Sequence, residues 1–160
     1  MTDKPFLIAT AEDFVGRELA VSDWMPLDQA RVNMFAEATR HTHWMHTDPE
    51  RAARESPYGG ALAHGFLMLS LISHFIDACD LRPADSAYAL NYGVDKVRFL
   101  APVVVGDGVR VRDRIKLLSA EPRKNGLLAR TAHEIEVDGL DRPAVYAEYL
   151  ALWVPKQAAA

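Results

Sequence analysis

Cysteine is almost missing from this chain: Cys79 stands alone among 160 residues. No internal disulfide can form, and a reducing cytoplasm is the expected location. Long apolar runs are missing too. The longest mainly apolar stretch, residues 66–76, contains Ser70, Ser73 and His74 and falls well short of a membrane span. Phe6-Leu7-Ile8-Ala9 is too short for the apolar core of a secretion signal, and Glu12 and Asp13 follow it, so neither a membrane nor export is expected. Nor is there an excess of positive charge. Lys and Arg total 18 against 22 acids, a net charge of −4, which leaves no overall basic field for a nucleic-acid partner. Internal repeats and low-complexity tracts are absent as well. What remains, 49% hydrophobic and 25% charged residues, is a globular balance, and residues 1–160 are expected to form one domain.

The apolar residues that are present follow readable periods. Leu27, Ala30, Met34 and Ala38 fall on one side of a helical repeat, which predicts a helix over about 26–39. Residues 1–13 carry no strong period, and 18–22 is at most a short strand. Asp48, then Pro49, then good helix formers read as the capped start of a short helix, which the turn Pro57-Tyr58-Gly59-Gly60 ends. From Ala63 the chain is apolar almost all round, through Phe66, Leu67, Met68, Leu71, Ile72 and Phe75; that predicts a buried helix. Its exceptions, Ser70, Ser73, His74 and Asp77, form one narrow stripe that faces either a polar pocket or solvent.

Beyond Pro83 the character changes to strands, over 87–100, 109–117, 127–137 and 144–154. In the second, Arg110, Arg112, Arg114 and Lys116 stand opposite Val109, Val111, Ile115 and Leu117, a half-buried strand whose cations either solvate its outer face or meet ligand phosphates. Lys124-Asn125-Gly126 marks a hairpin turn, and the last strand, apolar on both faces, belongs inside its sheet. A buried helix followed by antiparallel strands is an α+β arrangement.

Polar chemistry concentrates in residues 35–73. His41, His43 and His46 lie close together in sequence, and His64-Gly65 stands at the mouth of the apolar helix. A helix start carries unpaired N–H groups and positive dipole, which stabilise an oxygen that gains charge. A neutral imidazole exchanges protons near pH 7. Metal ligation by His41, His43, His46 and His64 is disfavoured by the spacing: a strand aligns His41 with His43, and a helix aligns His43 with His46 while His41 drops out. No metal is expected.

Ala38-Thr39, then Trp44-Met45-His46 and Asp48-Pro49, then Ala63-His64-Gly65-Phe66-Leu67 resemble the two signature segments of the MaoC-like dehydratases, the (R)-specific enoyl-CoA hydratases and their NodN-type relatives. Asn91-Tyr92-Gly93, Lys96-Val97-Arg98-Phe99 and Ala101-Pro102-Val103 are similar to that family's next strand and turn. The resemblance runs over about 36–105 and implies a single hot-dog domain, an antiparallel sheet wrapped around one long buried helix. It also implies (R)-specific hydration of enoyl thioesters, or the reverse dehydration of 3-hydroxyacyl thioesters, on coenzyme A or acyl carrier protein. No cofactor is implied, since water is the second substrate. By the same resemblance His46 handles protons, the Gly65 N–H holds the thioester oxygen, and His64, Ser73, Asn91 and Tyr92 lie toward the substrate. A homodimer is implied.

One position departs from the pattern. The family places a catalytic Asp five residues before its His, and here that residue is His41, preceded by Arg40. Three outcomes stay open: a site running on two imidazoles, a relocated acid such as Asp48, or binding without catalysis. The last corresponds to a non-catalytic acyl-thioester-binding protein or a partner subunit. A hot-dog thioesterase is a further reading, with Glu37 or Asp48 as its carboxylate.

Overall fold

The computed structural model describes residues 5–157. A 3₁₀ helix, Ile8–Phe14, leads to β1 (Glu18–Val21) and β2 (Met25–Pro26). Four helices follow, α1 (Gln29–Thr39), α2 (Trp44–Thr47), α3 (Pro49–Glu55) and α4 (Gly65–Ala78). The chain closes with β3 (Ser86–Phe99), β4 (Arg110–Arg123), β5 (Gly126–Val137) and β6 (Val145–Pro155). The strands form one antiparallel sheet in the order β1-β4-β5-β6-β3, with β2 paired to β4. Helix α4 packs on β4 and β6. This is the hot-dog arrangement, α+β, with the sheet curled around one helix.

The core sits between α4 and the sheet. Leu67, Met68, Leu71, Ile72 and Phe75 are buried against Val111, Ile115, Leu117, Ile135, Ala147 and Trp153 in one cluster. Burial of each such large side chain contributes about 1.5–3 kcal/mol, so packing rather than helix propensity holds α4 in place. Phe66, read from its sequence as part of this buried set, is 68% exposed. The stripe Ser70, Ser73, His74 and Asp77 is exposed on the same helix. No helix among the described residues is long and apolar enough to cross a membrane.

Two element boundaries differ from the periodic reading for physical reasons. Met25–Pro26 pairs with Val111 and Arg110 of β4. The helix starts only at Gln29, where the Asp28 side chain accepts the Arg31 N–H at 2.9 Å, an N-cap that sets the first turn. At the start of the chain, Ile8, Ala11 and Phe14 recur every third residue and all turn to the core. That is a 3₁₀ period, and a search for α-helical spacing passes over it.

Strand β4 alternates as expected, and the alternation carries Asp113 inward with Val111, Ile115 and Leu117. Asp113 Oδ2 lies 2.6 Å from His133 Nδ1, and His133 Nε2 lies 2.8 Å from Thr131 Oγ1. Asp113 and His133 are both fully buried. On the outer face Arg112 and Arg114 meet Glu136 at 2.6 and 3.1 Å, Arg114 also pairs with Glu18, and Arg110 pairs with Asp138. These three arginines are engaged by acids across the sheet, which favours the solvated face over a phosphate contact. Strand β6 lies between β5 and β3, buried on both faces.

Candidate active site

Short polar devices deliver the histidines. Helix α1 ends with Arg40 in the left-handed region, φ 59°, its N–H bonded to the Glu37 carbonyl. The chain then reverses into α2, a single turn whose N-cap is His43: its Nδ1 accepts the Met45 N–H at 3.3 Å. Asp48 likewise caps α3 by accepting the Arg51 N–H at 2.9 Å. The acid considered as a relocated catalytic group is therefore engaged in starting a helix. Between α3 and α4, residues 61–63 form a strap. Leu62 N–H donates to Met45 O at 2.9 Å, Ala63 N–H to Val103 O at 2.9 Å, and Val105 N–H to Ala61 O at 2.7 Å. The strap pins α2 to the 103–105 segment and aims the chain into α4 at His64.

Three imidazoles meet at this junction. The rings of His46 and His64 stack with centroids 3.8 Å apart, and the His41 ring lies 5.3 Å from the first and 5.2 Å from the second. His46 Nδ1 is 2.8 Å from the Leu62 carbonyl; an N–H there leaves Nε2 with a free lone pair. His64 Nε2 is 3.0 Å from the His41 carbonyl, while its Nδ1 is buried without a hydrogen-bond partner. Burial pushes the pKa values of His46 and His64 below the usual imidazole value, the carbonyl bonds oppose this, and the neighbouring imidazoles lower both further. Both rings are thus held neutral near pH 7.

Gly65 is the first residue of α4, with His64 as N-cap, so its N–H is one of the donors that no carbonyl inside the helix can reach. A Cβ at Gly65 would stand 2.8 Å from Phe99 Cδ1, so the aromatic ring would have to move for any other residue to fit. Beside it opens a cavity of about 370 Å³ lined by Tyr58, Gly65, Phe66, Phe99, Val103 and Val145, among others. A proton acceptor on His46 and a helix-terminal donor at Gly65 thus stand at one junction, with an apolar chamber opening beside Gly65.

Of the residues singled out from the sequence, His41, His46, His64 and Gly65 come together here. Ser73 lies about 12 Å further along α4 at 1.5 Å per residue. It and Asn91 both hydrogen-bond the Tyr149 hydroxyl, which donates to Asn91 Oδ1. Tyr92 is 67% exposed. Of these site residues Gly65 lines the cavity, whereas His41, His46, His64, Ser73, Asn91 and Tyr92 do not. Sequence reasoning missed Leu62, which acts through its backbone carbonyl and so leaves no side-chain signal. It also missed Gln29, whose Nε2 donates to the His46 carbonyl at 2.6 Å.

Comparison with known proteins agrees with this fold. The fold matches the unliganded R-hydratase PhaJ1 of Pseudomonas aeruginosa with a TM-score of 0.75 at 22% identity, over 98% of this chain and 93% of that one. In sequence the chain is 39% identical to nodulation protein N of Rhizobium meliloti (strain 1021) over 147 residues, covering 91% of this chain and 89% of that protein. It is 40% identical to 3-hydroxyacyl-thioester dehydratase Z of Mycobacterium tuberculosis (strain ATCC 25618 / H37Rv) over 140 residues, 87% of this chain and 90% of that protein. Residues 10–123 match the family described as MaoC like domain. With the hot-dog sheet, the His46 and His64-Gly65 segments and these likenesses together, the chain belongs to the MaoC-like dehydratase family.

Proposed function

We propose that the protein catalyses (R)-specific hydration of an enoyl thioester, or the reverse dehydration of a 3-hydroxyacyl thioester, on coenzyme A or acyl carrier protein. The observation that carries this reading is the free Nε2 of His46, left open by the Leu62 carbonyl beside the start of α4. In the hydration direction His46 Nε2 takes a proton from water as the water oxygen bonds to the β-carbon. The electron pair of the C=C bond moves to the α-carbon and the thioester oxygen, whose negative charge the Gly65 N–H holds. Protonated His46 then returns its proton to the α-carbon. His41 stands where the family has its carboxylate; a ring nitrogen there accepts a hydrogen bond and orients the water, and it adds no negative charge. The test is hydration of crotonyl-CoA followed at the enoyl absorbance, with wild type beside His41→Asp and His46→Ala.

The loss of the family's acid at His41 favours one second reading, a non-catalytic acyl-thioester-binding protein or partner subunit. Absence of turnover in wild type and in His41→Asp, with acyl-CoA binding intact in both, selects it. We also propose a homodimer. Strand β3 is an edge, bonded only to β6, and Tyr88, Leu90, Tyr92 and Val94 along it are 44–67% exposed. An apolar row on an unpaired edge calls for a partner. Light scattering at micromolar protein should give twice the chain mass; a single-chain mass rejects the dimer.

A further inference from the structure

We propose that His41, His46 and His64 form a binding site for a divalent transition-metal ion of the kind that prefers imidazole, Zn²⁺ foremost. One ring nitrogen of each lies within 4.8 Å of the other two. Spacing along the chain argues against His41, His43 and His46 as a ligand set. The fold removes that objection by keeping His43 as the cap of α2 and bringing in His64 from the mouth of α4. Zinc bound at about 2.0–2.1 Å to each nitrogen holds them about 3.3 Å apart in a tetrahedron. The triangle therefore has to close by no more than about 1.5 Å, and the exposed His41 ring is free to swing inward.

Two further features point to an ion. A ligating histidine ordinarily donates its other ring N–H to a carbonyl or carboxylate, which fixes its tautomer and aim. His46 already does so to the Leu62 carbonyl and His64 to the His41 carbonyl. The second feature is the orphan Nδ1 of His64, a residue only 3% exposed. A buried acceptor without a donor is costly, and a cation would satisfy it. With three imidazoles and no carboxylate among them, the set is the one that leaves zinc a fourth position for water. Replacement of the family's acid by His41 thus completes the ligand set.

The test uses the whole protein, stripped of metal by dialysis against a chelator. Titration with Co²⁺ should give the visible absorption of a cobalt–imidazole site, saturating at one ion per chain, and Zn²⁺ should bleach it by displacement. His41→Ala and His46→Ala should each weaken Zn²⁺ about tenfold or more, the scale on which loss of even an outer partner is felt, while His74→Ala, at an exposed position further along α4, leaves the affinity unchanged. His64 is buried and its replacement endangers the fold, so the exposed His41 carries the decision. Failure to develop the cobalt absorption overturns the proposal. So does Zn²⁺ affinity that survives both His41→Ala and His46→Ala, or that falls as far in His74→Ala as in His41→Ala, since either result assigns the ion to scattered surface histidines. The ion would take the same His46 Nε2 lone pair that hydration uses, so Zn²⁺ occupancy should suppress turnover, but the metal readouts need neither thioester nor turnover and stand or fall separately from the hydratase reading.

Discussion

His46 and His133 are both histidines held by an oxygen from another segment of the chain, and they illustrate two different uses of one side chain. His133 is fully buried between β4 and β6, with Nδ1 on Asp113 and Nε2 on Thr131. Both of its nitrogens are engaged, so it cross-links the core and has nothing left for a ligand. His46 engages only Nδ1, at the Leu62 carbonyl, and keeps Nε2 beside two other imidazoles and a helix start. The backbone carbonyl fixes the tautomer without consuming the second nitrogen. Chemistry needs that spare valence, and His133, with one nitrogen on Asp113 and the other on Thr131, lacks it.

Substitutions at the two sites should separate these roles. The largest effect is expected for His46→Ala, which should lower kcat for crotonyl-CoA hydration by about 10²–10⁴ in either the His41 or the His41→Asp background. Next is His133→Leu. It strands the Asp113 carboxyl, which burial already holds above the ordinary carboxylate pKa against the opposing hydrogen bond from His133, and should cost about 3–5 kcal/mol. A denaturant midpoint measures that loss, and kcat per folded molecule should stay at the wild-type value. A fall in kcat there as deep as in His46→Ala would erase the distinction between the sites.

His41→Asp should raise activity, because a carboxylate accepts a hydrogen bond from the water and adds the negative charge that the ring lacks; the same anion favours protonated His46, so the acid limb of the rate should move to higher pH. The pH–rate profile of the two proteins decides this. A smaller effect concerns stability. In the folded chain the pKa values of His46 and His64 are lowered, chiefly by burial, so on acidification below about 6.5 the unfolded chain takes up protons before the folded one. Stability should therefore fall as pH drops through that range, and by less in His46→Ala; denaturation curves at pH 7 and pH 5 compare them. Smallest is Asp28→Ala, which removes the cap of α1 and should cost about 1 kcal/mol with the histidine cluster's metal and substrate behaviour unchanged.

Much of the fold was legible because period survives in a single sequence. The all-round apolar run after Ala63 marked α4, the strict alternation around Arg110–Leu117 marked β4, and the two apolar faces of 144–154 marked an inner strand. Asp113 broke the apolar side of β4 and was passed over, since its partner His133 sits on another strand and only register brings them level. Of the site, His46 and Gly65 could be named from their motif. The pairing of histidines could not, because local geometry ties His41 to His43 or His43 to His46, and never to His64.

The sequence by itself determined the α+β class, the helix at the centre and the presence of imidazoles next to a helix start, since each depends on neighbours within a few residues. Tertiary structure alone decided which nitrogens are free. Leu62, held between Met45 and the 103–105 segment, turns its carbonyl to His46, and the chain reversal at Arg40 turns the His41 carbonyl to His64. Backbone carbonyls are the same at every residue, so nothing in the order of side chains says where one will point; that is fixed only when the strap, the short helices and α4 close on one another.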